Sequence, residues 1–225
     1  MTASGKRRIA FTHKLLTWYD RAARDLPWRR TRDPYRVAVS EFMLQQTQVS
    51  RVEEFYPRFL ARFPTIEKLA QARPKAVREA WEGLGYYRRA SNLHALTRVV
   101  RKTYGGKLPD DPEELVKLPG VGPYTAGAIA CFAYEKPVPA VDTNVNRVIK
   151  RAFASRDVWK TAKALIPKRR AWKFNQAIME LGATVCTARK PRCPECPVRL
   201  YCKTGSRTLA SRLSTVAPFR PSVIS

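Results

Sequence analysis

The sequence predicts an all-α protein, and three observations carry that reading. Apolar residues recur three or four positions apart through most of the chain. Glycine and proline fall between these periodic segments. No stretch shows the strict alternation of a half-buried strand. "FTHKLLTWYDRAA" (11–23), "DPYRVAVSEFMLQQTQVSRVEEFYPRFLARF" (33–63), "IEKLAQARPKAVREAWEGL" (66–84) and "YRRASNLHALTRVVRKTYG" (87–105) all keep the helical period. Pro64, "GLGY", "YGGKLPDDP", "LPGVGP" and "EKPVPA" punctuate them. "DDPEELVKL" opens a helix with Asp111 as N-cap and Pro112 at the first helical position. "DTNVNRVIKRAF" opens another, with Asp142 or Thr143 near its cap. The sum is roughly ten short helices, a loop-like cysteine module, and a loose tail over "SRTLASRLSTVAPFRPSVIS" (206–225).

Charge narrows the function. Lys and Arg number 43 against 18 Asp and Glu, a formal +25. Such an excess repels itself unless a polyanion compensates it. Nucleic acid is the first candidate and an anionic membrane the second, with a merely solvated basic surface as the plain alternative. The cations are spread along the chain, which favours a broad duplex-binding face over one amphipathic segment. There is no run of about 18 apolar residues to span a bilayer, and "MTASGKRRIAFTHKLL" lacks the apolar core of a secretion signal. The expectation is an intracellular, nucleoid-associated monomer with no membrane partner. Four of the five cysteines fall within 186–202, and in an intracellular chain such clustering points to a metal. Cys131, alone in "AIACFAY", reads as packing.

"ELVKLPGVGPYTAGAIACFAY" reads as a helix ending in Leu118, a tight turn, and a second helix from near Tyr124. Gly120 and Gly122 are expected to adopt dihedrals closed to other residues and to admit another backbone. N–H groups at such a turn, feeding a helix N-terminus, suit one phosphate. A plain αα-turn with glycine caps is the alternative.

Helix–LPGVG–helix followed by "VPAVDTNVNRV" resembles the helix-hairpin-helix DNA glycosylase superfamily, whose catalytic aspartate falls on Asp142. The resemblance implies a six-helix barrel over 26–136 and an iron–sulfur domain built from 1–25 and 137–205, with the site in the cleft between them. Cys186, Cys193, Cys196 and Cys202 are spaced C-x6-C-x2-C-x5-C. Four thiolates suit zinc or an iron–sulfur cluster alike. The spacing resembles the [4Fe–4S] module of endonuclease III and of MutY-type adenine glycosylases, which implies the cluster. Its implied role is structural, pinning a loop that holds Arg189, Lys190 and Arg192 against DNA phosphates.

Removing a base requires extruding it from the stack. Breaking its bond then resembles glycoside hydrolysis, with an acid for the leaving group and a carboxylate for the sugar cation. Asp142 takes the second role. Periodicity alone would make Glu41 a surface residue, but "SEFMLQQTQV" resembles the segment that carries the catalytic glutamate of MutY-type enzymes. The resemblance makes Glu41 the group that protonates adenine at N7 and later positions water. Among Val37, Val39, Phe42 and Met43, partial burial favours its acid form. The resemblance also makes Gln45, Gln46 and Thr47 a wedge in the base stack. "GLGYYRRASNLH" becomes a second intercalating loop, with Tyr86 or Tyr87 at the lesion. Tyr124 stands where bifunctional relatives hold a Schiff-base lysine, which implies a monofunctional enzyme. Asn144 adds a hydrogen bond to Asp142 or the substrate, and Thr143 replaces the family's usual glycine.

The expected function is a base excision repair glycosylase that frees adenine from A·G or A·8-oxoguanine pairs in duplex DNA. Tyr124 does not choose the base, because thymine–guanine mismatch glycosylases of archaeal type share it along with a short chain; the wedge segment favours adenine. MutY-type enzymes usually carry a further C-terminal domain that reads 8-oxoguanine. Here residues 203–225 follow Cys202, so that reading is expected of Gln46 and its neighbours. A thymine or uracil mismatch glycosylase, a non-catalytic lesion-binding module and a zinc-dependent nucleic-acid binder are the alternatives.

Overall fold

The computed structural model describes residues 3–205, and all the regular structure among them is helical. The tail expected over 206–225 lies outside the described residues. The helices follow in order: α1 (Ala3–Ala22), α2 (Pro34–Leu44), α3 (Val49–Arg62), α4 (Ile66–Gln71), α5 (Pro74–Ala80) and α6 (Arg88–Thr103), then α7 (Pro112–Leu115), α8 (Pro123–Tyr134), α9 (Thr143–Phe153), α10 (Val158–Leu165) and α11 (Ala171–Thr184). Local chemistry sets many of these starts. Proline opens α2, α5, α7 and α8, where its missing N–H costs nothing. Side chains of Asp33, Thr65, Asp111 and Asp142 accept backbone N–H groups of Arg36, Lys68, Glu113 and Val145 at four N-caps. Three boundaries depart from the periodicity, one of them the division of 66–84 into α4 and α5 ahead of Pro74. Helix α1 begins at Ala3, well before Phe11, and the long periodic stretch 33–63 breaks at Gln45–Gln48 without a glycine or proline.

The chain divides into two compact units. The first, Ala23–Val141 with Ile166–Asn175, contains α2 to α8. Phe42, Phe59, Trp81, Leu93 and Ile129 form its fully buried centre, and Phe59 meets Trp81 edge-on at 5.6 Å. Helix α2 packs on α3, α6 and α8. It buries Tyr35 and every residue from Val37 to Met43, the signature of a helix enclosed on all sides.

Asn175 ties the segment before α9 into this unit. Its Oδ1 accepts the Ala140 N–H at 3.1 Å, while its Nδ2 donates to the carbonyls of Val138 at 2.9 Å and Ala171 at 3.2 Å. Nδ2 also donates to the Cys131 sulfur at 3.2 Å. Burial pushes the Cys131 thiol up to about 11, which leaves it neutral and a packing element, as its apolar setting predicts.

The second unit comprises residues up to Ala22, Asp142–Leu165 and Gln176 onward. Phe11 of α1 stacks edge-on against Phe153 at 5.0 Å. The Arg7 guanidinium donates to the carbonyls of Ala152 at 2.8 Å and Tyr201 at 2.7 Å, fastening α1 to α9 and the cysteine loop. Thr12 donates to the Leu165 carbonyl of α10. Among the described residues no helix is long and apolar enough to cross a membrane.

Asn175→Ala would strand the buried Ala140 N–H and Val138 carbonyl. Each unsatisfied group costs about 1–3 kcal/mol, so urea unfolding is expected to show a loss of about 3 kcal/mol, with Asn175→Asp no better.

Candidate active site

In the first unit Glu41 sits within α2 at 4% exposure. Burying a carboxyl is costly, and the rest of this stretch is apolar except for Ser40, whose hydroxyl donates to the Val37 carbonyl, so the position is chemically unusual. Its neighbour Phe42 touches the hairpin: a Cβ placed on Gly120 would lie 2.9 Å from the Phe42 ring and 2.7 Å from Asn92 Cβ. Gly120 has φ +75 and satisfies the expectation of a backbone only glycine adopts easily. Gly122 does not. It is extended (φ −95, ψ 177) and caps α8, a conformation open to any residue; its use is room, since a Cβ there meets nothing within 4 Å. Tyr124 lies half-buried in the first turn of α8.

The two expected wedge segments share a backbone peculiarity. Gln46 has φ +56 and Tyr86 φ +46, left-handed conformations that are uncommon for non-glycine residues and concentrate at functional places. Gln46 is exposed, Gln45 and Thr47 partly so. Tyr86 is 61% exposed, unusual for so large an aromatic side chain. Tyr87 is less exposed and lies under the Arg78 guanidinium, 5.0 Å from its ring centroid.

In the second unit Asp142 is a helix cap with an additional partner. Its Oδ1 accepts the Val145 N–H at 2.7 Å, and its Oδ2 accepts Asn144 Nδ2 at 2.9 Å. The carboxyl therefore stands at the positive end of the α9 dipole with its orientation fixed. Asn144 is held in turn by Arg147, which donates to Asn144 Oδ1, to the Gly182 carbonyl (both 2.7 Å) and to the Cys186 carbonyl (2.8 Å). One hydrogen-bonded chain thus runs from Asp142 to the first cysteine of the cluster loop.

Cys186, Cys193, Cys196 and Cys202 line a single cavity with Arg151, Arg192, Arg199 and Gly205. Arg151 Nη1 reaches the Cys186 sulfur at 3.5 Å, and the Gly205 N–H donates to the Cys202 sulfur at 3.4 Å. Four thiols facing one space, with N–H donors and guanidinium groups beside them, fit a multi-iron cluster, whose thiolate charge such groups offset. Burial pushes the Cys196 thiol up to about 11 and raises Cys193 as well, so ligation must displace protons. Arg189 and Lys190 are exposed on the loop. Arg192 is exposed as well, but its guanidinium is engaged, donating to the Thr184 carbonyl at 2.5 Å and pairing with Glu195 at 3.2 Å.

Sequence reasoning missed Arg147, Arg151 and Gly182. The two arginines lie one turn apart on α9, and nothing near them in the sequence marks the distant carbonyls they bind. Gly182 is required by contact: a Cβ there would lie 2.6 Å from Asn144 Cβ. Gly182→Ala must therefore displace Asn144 and, through it, the Asp142 carboxyl. The expected result is a stability loss of about 1–3 kcal/mol, with single-turnover base release down about tenfold or more and duplex affinity preserved in a filter-binding assay.

Comparison with known proteins places these features. Residues 39–173 match the family described as HhH-GPD superfamily base excision DNA repair protein, and residues 186–202 match the iron–sulfur binding domain of endonuclease III. An adenine DNA glycosylase of Mycolicibacterium smegmatis is 50% identical over 86% of this chain and 69% of its own length. That of Homo sapiens is 44% identical over 91% of this chain and 41% of its own. The chain thus spans about two thirds of the mycobacterial relative and under half of the mammalian one. Among solved structures, a thermostable thymine-DNA glycosylase superposes with a TM-score of 0.86 at 32% identity, covering 92% of this chain and all of that one. An endonuclease III–DNA complex superposes with a TM-score of 0.79 at 26% identity, covering 93% of this chain and all of that one. Four cysteines at endonuclease III spacing line one cavity, the family model spans more than half of the sequence, and this chain belongs to the HhH-GPD superfamily of base excision DNA repair proteins.

Proposed function

We propose that the protein is a monofunctional adenine DNA glycosylase that acts on adenine paired with guanine or 8-oxoguanine in duplex DNA. The observation that carries this reading is Glu41, the one carboxyl in a helix buried from Val37 to Met43, shortly before the left-handed Gln46. Core packing does not call for such a group, whereas acid-assisted departure of a purine does. The identity to relatives named adenine DNA glycosylase supports the choice of base.

The hairpin at Gly120 and Gly122 grips a phosphate, with Arg189 and Lys190 adding backbone contacts. Gln46 and a tyrosine of the 86–87 pair enter the stack as adenine leaves it. Glu41 gives its proton to adenine N7; the C1′–N9 bond breaks and its electron pair stays with the base. Asp142, aligned by Asn144 and the Val145 N–H, stabilises the oxocarbenium-like sugar or bonds to it transiently. Water then adds to C1′ and passes a proton to the Glu41 carboxylate, leaving an abasic site and restoring the acid. Cys186, Cys193, Cys196 and Cys202 would hold a [4Fe–4S] cluster, which supplies structure to the Arg189–Lys190 loop when bound.

The decisive experiment is single-turnover release of free base from A·G, A·8-oxoguanine, T·G and U·G duplexes. Release of adenine from the first two is expected. Release of thymine or uracil alone would transfer the protein to the thymine-DNA glycosylase type that its structure also resembles, and binding without release would make it a lesion-binding module. Glu41→Gln and Asp142→Asn are each expected to cost about a thousandfold or more in adenine release while retaining duplex binding. Tyr124→Lys supplies an amine where a phenol cannot form a Schiff base; borohydride is expected to trap a covalent protein–DNA adduct with this variant and none with the parent.

A further inference from the structure

Arg89 occupies the first turn of α6 and is only 6% exposed. Its position breaks a local rule, because a cation at a helix N-terminus opposes the dipole of that helix. Its guanidinium turns instead toward other backbone. Nη1 faces the carbonyls of Phe42 at 3.1 Å, Met43 at 2.6 Å and Gln45. Nη2 donates to the carbonyls of Leu84 at 3.2 Å and Gly85 at 3.1 Å, and Nε to that of Tyr86 at 3.4 Å. Five N–H groups thus serve six carbonyls, so some bonds are shared. Three of the carbonyls belong to the end of α2 and its exit, where helical carbonyls lack partners. The other three belong to the loop that leads into α6. Trp81 and Tyr86 flank the cation, each ring centroid 5.5 Å from it.

The two sets of carbonyls therefore lead into Gln46 and Tyr86, two of the four non-glycine residues of this unit with left-handed backbone, the others being Glu135 and Arg170. We propose that Arg89 is a positioning residue that joins the Gln45–Thr47 and Leu84–Tyr87 segments into one rigid two-pronged wedge, fixing both in the conformation that enters the duplex. This rests on the reading of those segments as the parts that enter DNA. The guanidinium touches neither base nor sugar; it acts through the two backbones it holds. A lysine cannot replace it, since an ammonium offers three donors from one point and no planar fork.

The test uses Arg89→Lys in the full chain. Hydrogen exchange of segments 44–48 and 84–88 is read first, without DNA. Both are expected to lose protection together while the rest of the chain keeps it, since exchange reports cooperative local units. Unchanged exchange, or loosening of one segment alone, overturns the proposal. Should Arg89→Lys fail to fold, the parent decides: the two segments are expected to lose protection along one common urea dependence, and independent dependences overturn the proposal. Activity is read second. Adenine release from a fully paired A·8-oxoguanine duplex is expected to fall about a hundredfold, as misplacement of a positioning group can cause. Release from a one-nucleotide adenine bulge, where extrusion costs less, is expected to fall about threefold at most. An equal fall on both substrates assigns Arg89 to general support of the pocket and overturns the proposal. The exchange result stands whether or not the parent releases adenine, so failure of the wedge and failure of the proposed activity are told apart.

Discussion

Burying a carboxyl is costly, and the enclosure of α2 from Val37 to Met43 is what keeps Glu41 out of water. With Tyr35 and Val37–Met43 all enclosed, the helix cannot rotate or slide without exposing a large apolar surface. Close approach at Gly120 brings the hairpin against Phe42, one residue from Glu41. The segment expected to bind a phosphate and the segment expected to deliver a proton are thus packed on a common support.

A second device recurs in both units. Arginines bind backbone carbonyls where a chain richer in acids would use ion pairs. Arg7 takes carbonyls of Ala152 and Tyr201, Arg32 that of Phe132, Arg147 those of Gly182 and Cys186, and Arg151 those of Thr187 and Ala188. Each guanidinium gathers loop or helix-end carbonyls that would otherwise lack partners. This division of labour suits a chain with 43 cations and 18 acids: some arginines turn onto neutral backbone oxygens, while others such as Arg189 stay exposed.

What could be read beforehand was whatever depends on near neighbours. Asp111 and Asp142 announce their caps because a cap bonds an N–H two or three residues on. The four cysteines reveal their module by spacing, and the hairpin by its glycines. Contacts between distant segments left no such trace. Gln46 gives no hint that a helix ends beside it, because the carbonyls released there are taken by Arg89, more than forty residues away. Within "GYYRRASN" Arg89 looks like one more solvated cation, and only its place in the first turn of α6 sits oddly. Gly182 and Asn175 are equally silent: one is dictated by the Asn144 side chain against it, the other by carbonyls and an N–H in a loop some thirty-five residues earlier.

If Gln46 and Tyr86 enter the duplex as proposed, their left-handed backbone also bears on how a lesion is found. An enzyme of this kind inspects enormous numbers of intact base pairs for each one it alters. A probe that had to order itself afresh at every step would slow that search and blur the difference between sound and damaged sites. Here the awkward conformations are built into the folded chain, so on that reading each encounter would test the compliance of the DNA against a tip that is already stiff.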